Sequence, residues 1–246
     1  MRFAVYGASG RVGTKLVETI LASPGMELAA AHISPASRWL GGSVGNTAIE
    51  YRPAEPSINA HCDAIIDFST PDASIRLQEI AGDRPVPIVV GTTGFSAAQE
   101  RLIDEAARLR PVMVGVNFAL GFGAFAASVQ KFASAFPNAQ ARIEETYHQR
   151  KKRSASGTSR LLADIVRNAQ DKGGAVSSPM PEISIHRSGN VVGINEVHFD
   201  LGVSRAGFVF NVDTLGAYAE GALAAAVWLA DPARKPGRYE PADMQG

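Results

Sequence analysis

Between Glu145 and Arg160 the chain reads "ETYHQRKKRSASGTSR", a stretch dense in groups that hold anions or move protons. Ser156, Gly157 and Thr158 stand directly before "RLLADIVRNAQ", whose apolar residues recur at helical spacing. Their hydroxyls and N–H groups therefore form an anion site at a helix start, and a carboxylate suits it. Lys151, five positions earlier, supplies positive charge to a second carboxylate or gives up a proton. Tyr147 also carries a donatable proton, but with a reference pKa of about 10 it is a far weaker acid near neutrality than a histidine at about 6.5. His148, beside it, is the other candidate acid. Taken alone, "HQRKKR" would read as a solvated basic loop; the "SGT" that follows is what makes it a candidate substrate site, with Tyr147, His148 and Lys151 as its catalytic candidates.

A second cluster opens the chain. In "VYGASGRVGTKL", three glycines spaced by three follow a short apolar run and precede a helical pattern. After a first parallel strand, such a turn lets the backbone approach a phosphate while the N–H groups of the next helix face the anion. Gly7 makes the tight turn, Ser9 or Gly10 allows the close approach, Gly13 lets the helix pack on the sheet, and Arg11 adds a cation, with Val12 in the same first turn. The loop is expected to cradle the pyrophosphate of a dinucleotide. A site for NAD usually carries an acid at the tip of the second strand, but here that strand ends "AAAHISPASRWLGG". With Ser34, Ser37 and Arg38 following and His32 adjacent, the tip suits a 2′-phosphate, so NADPH is expected over NADH, NADH remaining possible.

The elements that must position these groups follow from periodicity. "RFAVYG", "MELAAAHI", "CDAIIDFST", "VPIVVGTTG" and "PVMVGVN" are apolar runs of strand length. They alternate with helical patterns in "TKLVETILASPG", in "PDASIRLQEIAG" with Pro71 in its first turn, and in "SAAQERLIDEAARLR" begun by Ser96. Strands apolar on both faces and alternating with helices predict an α/β fold with a Rossmann-like parallel sheet. Ligands of such sheets lie beyond the carboxyl ends of the strands, where "DFST" with Phe68, "GTTGF" with Gly91 and Thr93, and "GVNFALG" with Asn117 all fall. These segments are expected to form one rim, Gly91 and Thr93 beside the nicotinamide and Asn117 bridging its carboxamide or the substrate.

Composition bounds what else the chain does. At 246 residues two domains are the natural expectation, and 46% hydrophobic with 20% charged residues is an ordinary globular balance. Twenty-four basic residues against 24 acidic ones give no net field for nucleic acid or an anionic membrane, so anion recognition must be local. No uncharged apolar stretch approaches the roughly 20 residues that span a bilayer. A single cysteine, Cys62, and an opening directly on "RFAVYG" lead us to expect a cytoplasmic protein, with Cys62 a small buried hydrophobe. His186 and His198 fall on strands where half-buried or solvent-facing positions are the default, and no metal site is expected. Trp228 is expected in the core, and "DPARKPGRYEPADM" as a Pro-rich loop packed back on the sheet.

Together "GASGRVG", "IIDFSTP", "VVGTTGF", "VNFALG", "SGTS" and "GALAAAVWLADPARKPGRYEPADM" resemble the dihydrodipicolinate reductase family nearly end to end. The resemblance implies a dinucleotide-binding domain over 1–118 plus 215–246. It also implies a second, α+β domain over 119–214 with an open mixed sheet, for substrate and oligomerisation, in a homotetramer. The reaction it implies is hydride transfer to a small cyclic imine or unsaturated dicarboxylate, with Lys151 stabilising charge or donating a proton and Thr93 and Ser156 to Thr158 holding carboxylate.

The chain departs from the family where chemistry is assigned. The family pattern Glu-x-His-His-x-x-Lys-x-Asp-x-Pro-Ser-Gly-Thr keeps its lysine and Ser-Gly-Thr here, but its first histidine is Tyr147, while the second is His148; its aspartate and proline are Arg153 and Ala155. Gly-x-His-x-Val becomes "GINEV" with Asn195, and a later His-x-Ala-x-Ser-Arg becomes "FNVDTL" from Phe210. Each lost donor near a buried charge costs roughly 1 to 3 kcal/mol, which Arg150, Lys152, Arg153 and Arg160 would have to offset. Two alternatives therefore stand beside the family reaction: a divergent paralogue reducing another imine, enamine or conjugated carboxylate, and a non-catalytic NADPH-binding protein.

Overall fold

Every residue of Ala64–Asp67 is buried, and a strand with no exposed face needs cover on both sides. The computed structural model, which describes residues 1–55, 61–81 and 85–245, supplies that cover. The chain divides into two compact units, Met1–Leu120 with Leu215–Gly246, and Gly121–Thr214.

The first unit runs β1 (Arg2–Tyr6), α1 (Arg11–Ala22), β2 (Glu27–His32), β3 (Tyr51–Arg52), β4 (Ala64–Asp67), α2 (Pro71–Ile80), β5 (Ile88–Val90), α3 (Ala97–Ala107) and β6 (Pro111–Val114). Its seven strands, β11-β6-β5-β4-β1-β2-β3 in order, are all parallel, β11 being Gly237–Tyr239. The helix starts follow the expected chemistry. Pro71 opens α2, and Ser96 caps α3 in a reciprocal pair with Gln99. On α1 the apolar stripe Leu16, Val17 and Ile20 is buried, and Gly13 is required: a Cβ there would lie 2.1 Å from the Gly7 carbonyl oxygen.

The tail corrects the expectation of a loop. It forms β11 on the free edge of β6, pairing Gly237 to Tyr239 with Pro111 to Met113, and then a 3-10 turn, Pro241–Gln245. An unpaired edge of backbone groups is the physical reason, and Arg238 holds the strand there by bonding Asp104 and Glu100 of α3 at 2.6 and 2.7 Å. Trp228 lies at the core margin rather than in it, edge-on to Tyr239 at 5.6 Å with the Arg234 guanidinium 3.5 Å from its ring centroid. Cys62 is buried. Trp228 itself lies on α6 (Gly216–Leu229), a helix apolar almost all round and packed on α1.

The second unit runs α4 (Phe122–Ala135), β7 (Gln140–Tyr147), α5 (Gly157–Lys172), β8 (Glu182–Arg187), β9 (Gly193–Asp200) and β10 (Arg205–Val212). Its sheet, ordered β10-β9-β7-β8, is mixed: β7 pairs antiparallel with β9 and parallel with β8. Strict alternation of buried and half-buried residues along β9 puts Val197 and Phe199 into a core with Phe122, Val129, Ile143, Leu162 and Val166. His186 and His198 lie outside that core, 3.8 Å from Glu144. Among the described residues no group of three or more His, Cys, Asp or Glu is arranged to hold a metal ion, and no helix is long and apolar enough to cross a membrane.

Candidate functional site

In the first unit the ends of β4, β5 and β6 are locked together by close packing. The Phe68 ring lies against Gly91, where a Cβ would come within 2.2 Å of it, and meets the Phe118 ring edge-on at 6.1 Å. Asp67, fully buried at the end of β4, accepts the Ser69 N–H at 2.9 Å, and Ser69 N–H also reaches the Thr92 hydroxyl. Burial pushes the Asp67 carboxyl up to about 6, and the polar groups of Ser69, Ser74 and Thr92 pull it part of the way back. Asn117 is buried, its Oδ1 accepting the Ala119 N–H at 2.9 Å, while Thr93 is exposed on the same rim.

Beside this rim lies a cavity of about 570 Å³, lined by Gly7, Ser9, Gly10, Ser34 and Phe68 among the sequence candidates. Gly7 has φ of +82°, and a Cβ there would lie 2.4 Å from the Phe68 carbonyl oxygen, so only glycine makes this turn. Helix α1 starts at Gly10 with no side-chain cap and no acid in its first turn; Arg11 is exposed, and Val12 packs on the core beneath. His32 lines the cavity from the end of β2. Its Nδ1 is 3.3 Å from the Pro53 carbonyl oxygen, and burial lowers its pKa, so the neutral ring donates from Nδ1 and keeps a lone pair on Nε2. That Nε2 is buried with no hydrogen-bond partner among the described residues, as fits a group that accepts from a bound ligand.

Arg38 is exposed, its guanidinium 5.0 Å from the Trp39 ring centroid, and does not line this cavity. The cation that does is Arg76 of α2, with Asp72 nearby on the same helix. Sequence reading missed it because it sits nine residues beyond β4, and only the packing of α2 brings it to the end of β2. A basic residue on the cavity-facing side of the helix after the "DFST" strand was the available signal.

In the second unit, β7 delivers Glu145 and Tyr147 to the buried side of the sheet at alternate positions. The Tyr147 hydroxyl donates to Asn195 Oδ1 at 3.0 Å and Asn195 Nδ2 donates to Ser159 Oγ at 3.0 Å. Ser159 Oγ donates to Glu145 Oε2 at 2.5 Å, which also accepts the Ser156 N–H at 2.8 Å. Arg187 Nη2 closes the other side, 2.8 Å from Glu145 Oε1, and binds the carbonyl oxygens of Lys152 and Ser154. Burial acts to raise the Glu145 carboxyl, but the bonds from Ser156, Ser159 and Arg187 outweigh it and hold the group below its ordinary range. Burial raises the Tyr147 phenol instead.

Tyr147, Lys151, Ser156, Gly157 and Thr158 are thus brought together around the start of α5, and His148 follows Tyr147 just past the end of β7. Ser156 caps that helix, its Oγ accepting the Ser159 N–H at 3.1 Å. Lys151 lies with Nζ 3.4 Å from the Tyr147 ring centroid, and its backbone N–H bonds His148 O. Arg187 escaped sequence reading because it arrives from β8 and nothing local marks it; Glu145 and Ser159 lie inside "ETYHQRKKRSASGTSR", where alternation along β7 with Tyr147 and adjacency to "SGT" were the available signals. Phe210 of β10, where the family pattern has a histidine, packs with Phe122 and Phe125 at 5.6 and 5.3 Å and extends the core.

A parallel sheet wound on both faces, with a glycine turn between β1 and α1 and a mixed-sheet unit inserted before α6, defines a Rossmann-like two-unit α/β protein. Family comparison makes this particular. Residues 1–118 match "Dihydrodipicolinate reductase, N-terminus" and residues 121–244 match "Dihydrodipicolinate reductase, C-terminus". The 4-hydroxy-tetrahydrodipicolinate reductase of Rhizobium rhizogenes is 32% identical over 267 residues, covering 100% of this chain and 97% of that one. The enzyme of the same name from Wolinella succinogenes is 33% identical over 259 residues, covering 100% and 99%. A solved structure of dipicolinate-bound dihydrodipicolinate reductase from Paenisporosarcina sp. TG-14 superposes with a TM-score of 0.76 at 18% identity, covering 98% of this chain and 97% of that one. The chain belongs to the dihydrodipicolinate reductase family: it is an oxidoreductase similar over its full length to the 4-hydroxy-tetrahydrodipicolinate reductases of lysine and diaminopimelate biosynthesis.

Proposed function

We propose that the chain reduces 4-hydroxy-tetrahydrodipicolinate, or a closely similar cyclic imine dicarboxylate, with NADPH preferred to NADH, as a cytoplasmic homotetramer. The observation that carries the reading is the Lys151 ammonium over the ring of Tyr147, whose hydroxyl end meets Ser156 and Thr158 at the start of α5, in a chain of this family. The reduced nicotinamide, when bound, supplies the hydride. The chain's own residues do the rest. Gly7, Ser9 and Gly10 accommodate the pyrophosphate at the start of α1. Ser34 and Arg76 supply a hydroxyl and a cation for a 2′-phosphate, in a cavity whose β2 end carries no acid. Gly157 and Thr158 offer a helix start to one substrate carboxylate, and Lys151 neutralises the second or protonates the reduced product. Ser156 serves this site only as the helix cap, since its N–H is given to Glu145 and its hydroxyl already bonds Ser159.

The divergent-paralogue reading keeps one specific support: Tyr147, Asn195 and Phe210 all make well-satisfied contacts inside the protein, so their departure from the family pattern is built in. One assay separates the readings. NADPH oxidation is followed with freshly generated 4-hydroxy-tetrahydrodipicolinate and, in parallel, with a panel of other cyclic imines. Turnover on the first, with Lys151→Ala lowering kcat about 10²-fold or more at unchanged NADPH affinity, is the expected result. Near-normal turnover of Lys151→Ala would remove Lys151 from the chemistry. Turnover only on another imine selects the paralogue, and NADPH binding without any oxidation selects the non-catalytic protein.

A further inference from the structure

The directions of the hydrogen bonds in the second unit follow from the ionised state of Glu145. A carboxylate only accepts, so the Ser159 hydroxyl at 2.5 Å must donate to it. With its one hydrogen used, Ser159 Oγ accepts in its other two hydroxyl-side contacts, from Asn195 Nδ2 and from Ser156 Oγ, both at 3.0 Å. This fixes the Asn195 amide with Oδ1 toward Tyr147, and the phenol can only donate to it. Three side chains in a row, Tyr147, Asn195 and Ser159, therefore point their hydrogens toward one buried carboxylate, and the Tyr147 proton is directed inward.

What Tyr147 presents to Lys151 is its ring. The ammonium lies 3.4 Å from the ring centroid, within the range where the negative face of the π-system attracts a cation. Lys151 is on a long flexible stem in a loop outside regular structure, whereas the ring is 4% exposed and clamped at its far end by Asn195, itself 2% exposed. An aromatic face holds an ammonium without taking its proton, so the ring contact itself uses none of the Lys151 N–H donors.

We propose that Tyr147 is the positioning residue for Lys151: its ring, locked by the Asn195–Ser159–Glu145 chain, fixes the ammonium for a substrate carboxylate, and its hydroxyl takes no part in proton transfer. The inference rests on the reductase reading for its kinetic consequences and on geometry alone for the placement of Lys151.

The test compares Tyr147→Phe, which keeps the ring, with Tyr147→Leu, which does not. Tyr147→Phe is expected to retain at least about a third of wild-type kcat/KM, and Tyr147→Leu to lose about tenfold, with NADPH affinity held in both. In a Lys151→Ala background the Leu substitution should have no further effect, because it acts through Lys151. A loss of 10²-fold or more in Tyr147→Phe would make the phenol an acid and overturn the proposal, as would an undiminished Leu effect in the Lys151→Ala background. The placement is read separately by NMR: the Lys151 ε-methylene should be shifted upfield by the ring current in the wild type and Tyr147→Phe, and should relax in Tyr147→Leu. Absence of the upfield shift in the wild type overturns the proposal whatever the kinetics, whereas absence of wild-type turnover with the shift present strikes the reductase reading and leaves the placement standing.

Discussion

Asp67 holds a proton more tightly in the folded chain than in the unfolded one, because it has no exposed surface and its carboxyl is pushed up to about 6. Against an unfolded value of about 3.9, the folded state binds more protons between roughly pH 4 and pH 6. Asp67 therefore contributes its stability below about pH 4 and loses it as pH rises through 6, by up to about 3 kcal/mol. Asp67→Asn keeps an oxygen to accept the Ser69 N–H and removes this dependence. Urea unfolding from about pH 4 to pH 7 should show the variant gaining on the wild type as pH rises; parallel curves would contradict the raised carboxyl. Glu145 has the opposite sign, since bonds hold it below its ordinary range and its contribution is lost as pH falls. Two carboxylates without exposed surface differ because Asp67 is desolvated more deeply while Glu145 has the Arg187 guanidinium among its donors, and nothing in the strings "IIDFST" or "IEETY" distinguishes them. The catalytic candidates, by contrast, were legible because Lys151 and "SGT" occur in one local run.

The helices and central strands were legible at the scale of elements. The Ser96 cap, Pro71 in the first turn of α2, and apolar runs such as "AIID" and "IVV" are local signals that the tertiary structure did not override. The two-residue β3 and three-residue β11 were not, since a strand that short shows no period and forms only because a neighbouring edge offers bonds. Close approach of elements is equally silent in sequence. Gly221 sits mid-helix in α6, where glycine ordinarily costs stability, yet a Cβ there would lie 1.6 Å from the Phe118 carbonyl oxygen. The obstacle is backbone, which cannot rotate aside. Gly221→Ala should therefore destabilise by about 3 kcal/mol rather than gain helix propensity, and thermal unfolding would show it; an unchanged or raised Tm would mean that α6 stands further off.

At the scale of the whole molecule, the proposed function divides the work between the two units, and variants should divide the same way. Arg76→Ala in the first unit is expected to raise KM for NADPH about tenfold while leaving kcat and the KM for NADH nearly unchanged, because a charge-assisted contact to the 2′-phosphate is lost. Arg38→Ala, exposed and stacked on Trp39, should change neither by more than about twofold. Steady-state kinetics with both cofactors checks the pair, and a larger effect at Arg38 than at Arg76 would reverse the assignment.

By itself the sequence determined the alternation of strands and helices, the glycine turn, the missing acid after β2 and the basic run before "SGT", because each depends on residues near one another along the chain. Only the tertiary structure decided which arginine lines the cavity, that the Ser156 N–H and hydroxyl are engaged by Glu145 and Ser159, and that the Tyr147 proton faces Asn195. Those properties depend on partners as far as 48 residues away, whose hydrogen bonds and burial exist only once separate elements have packed.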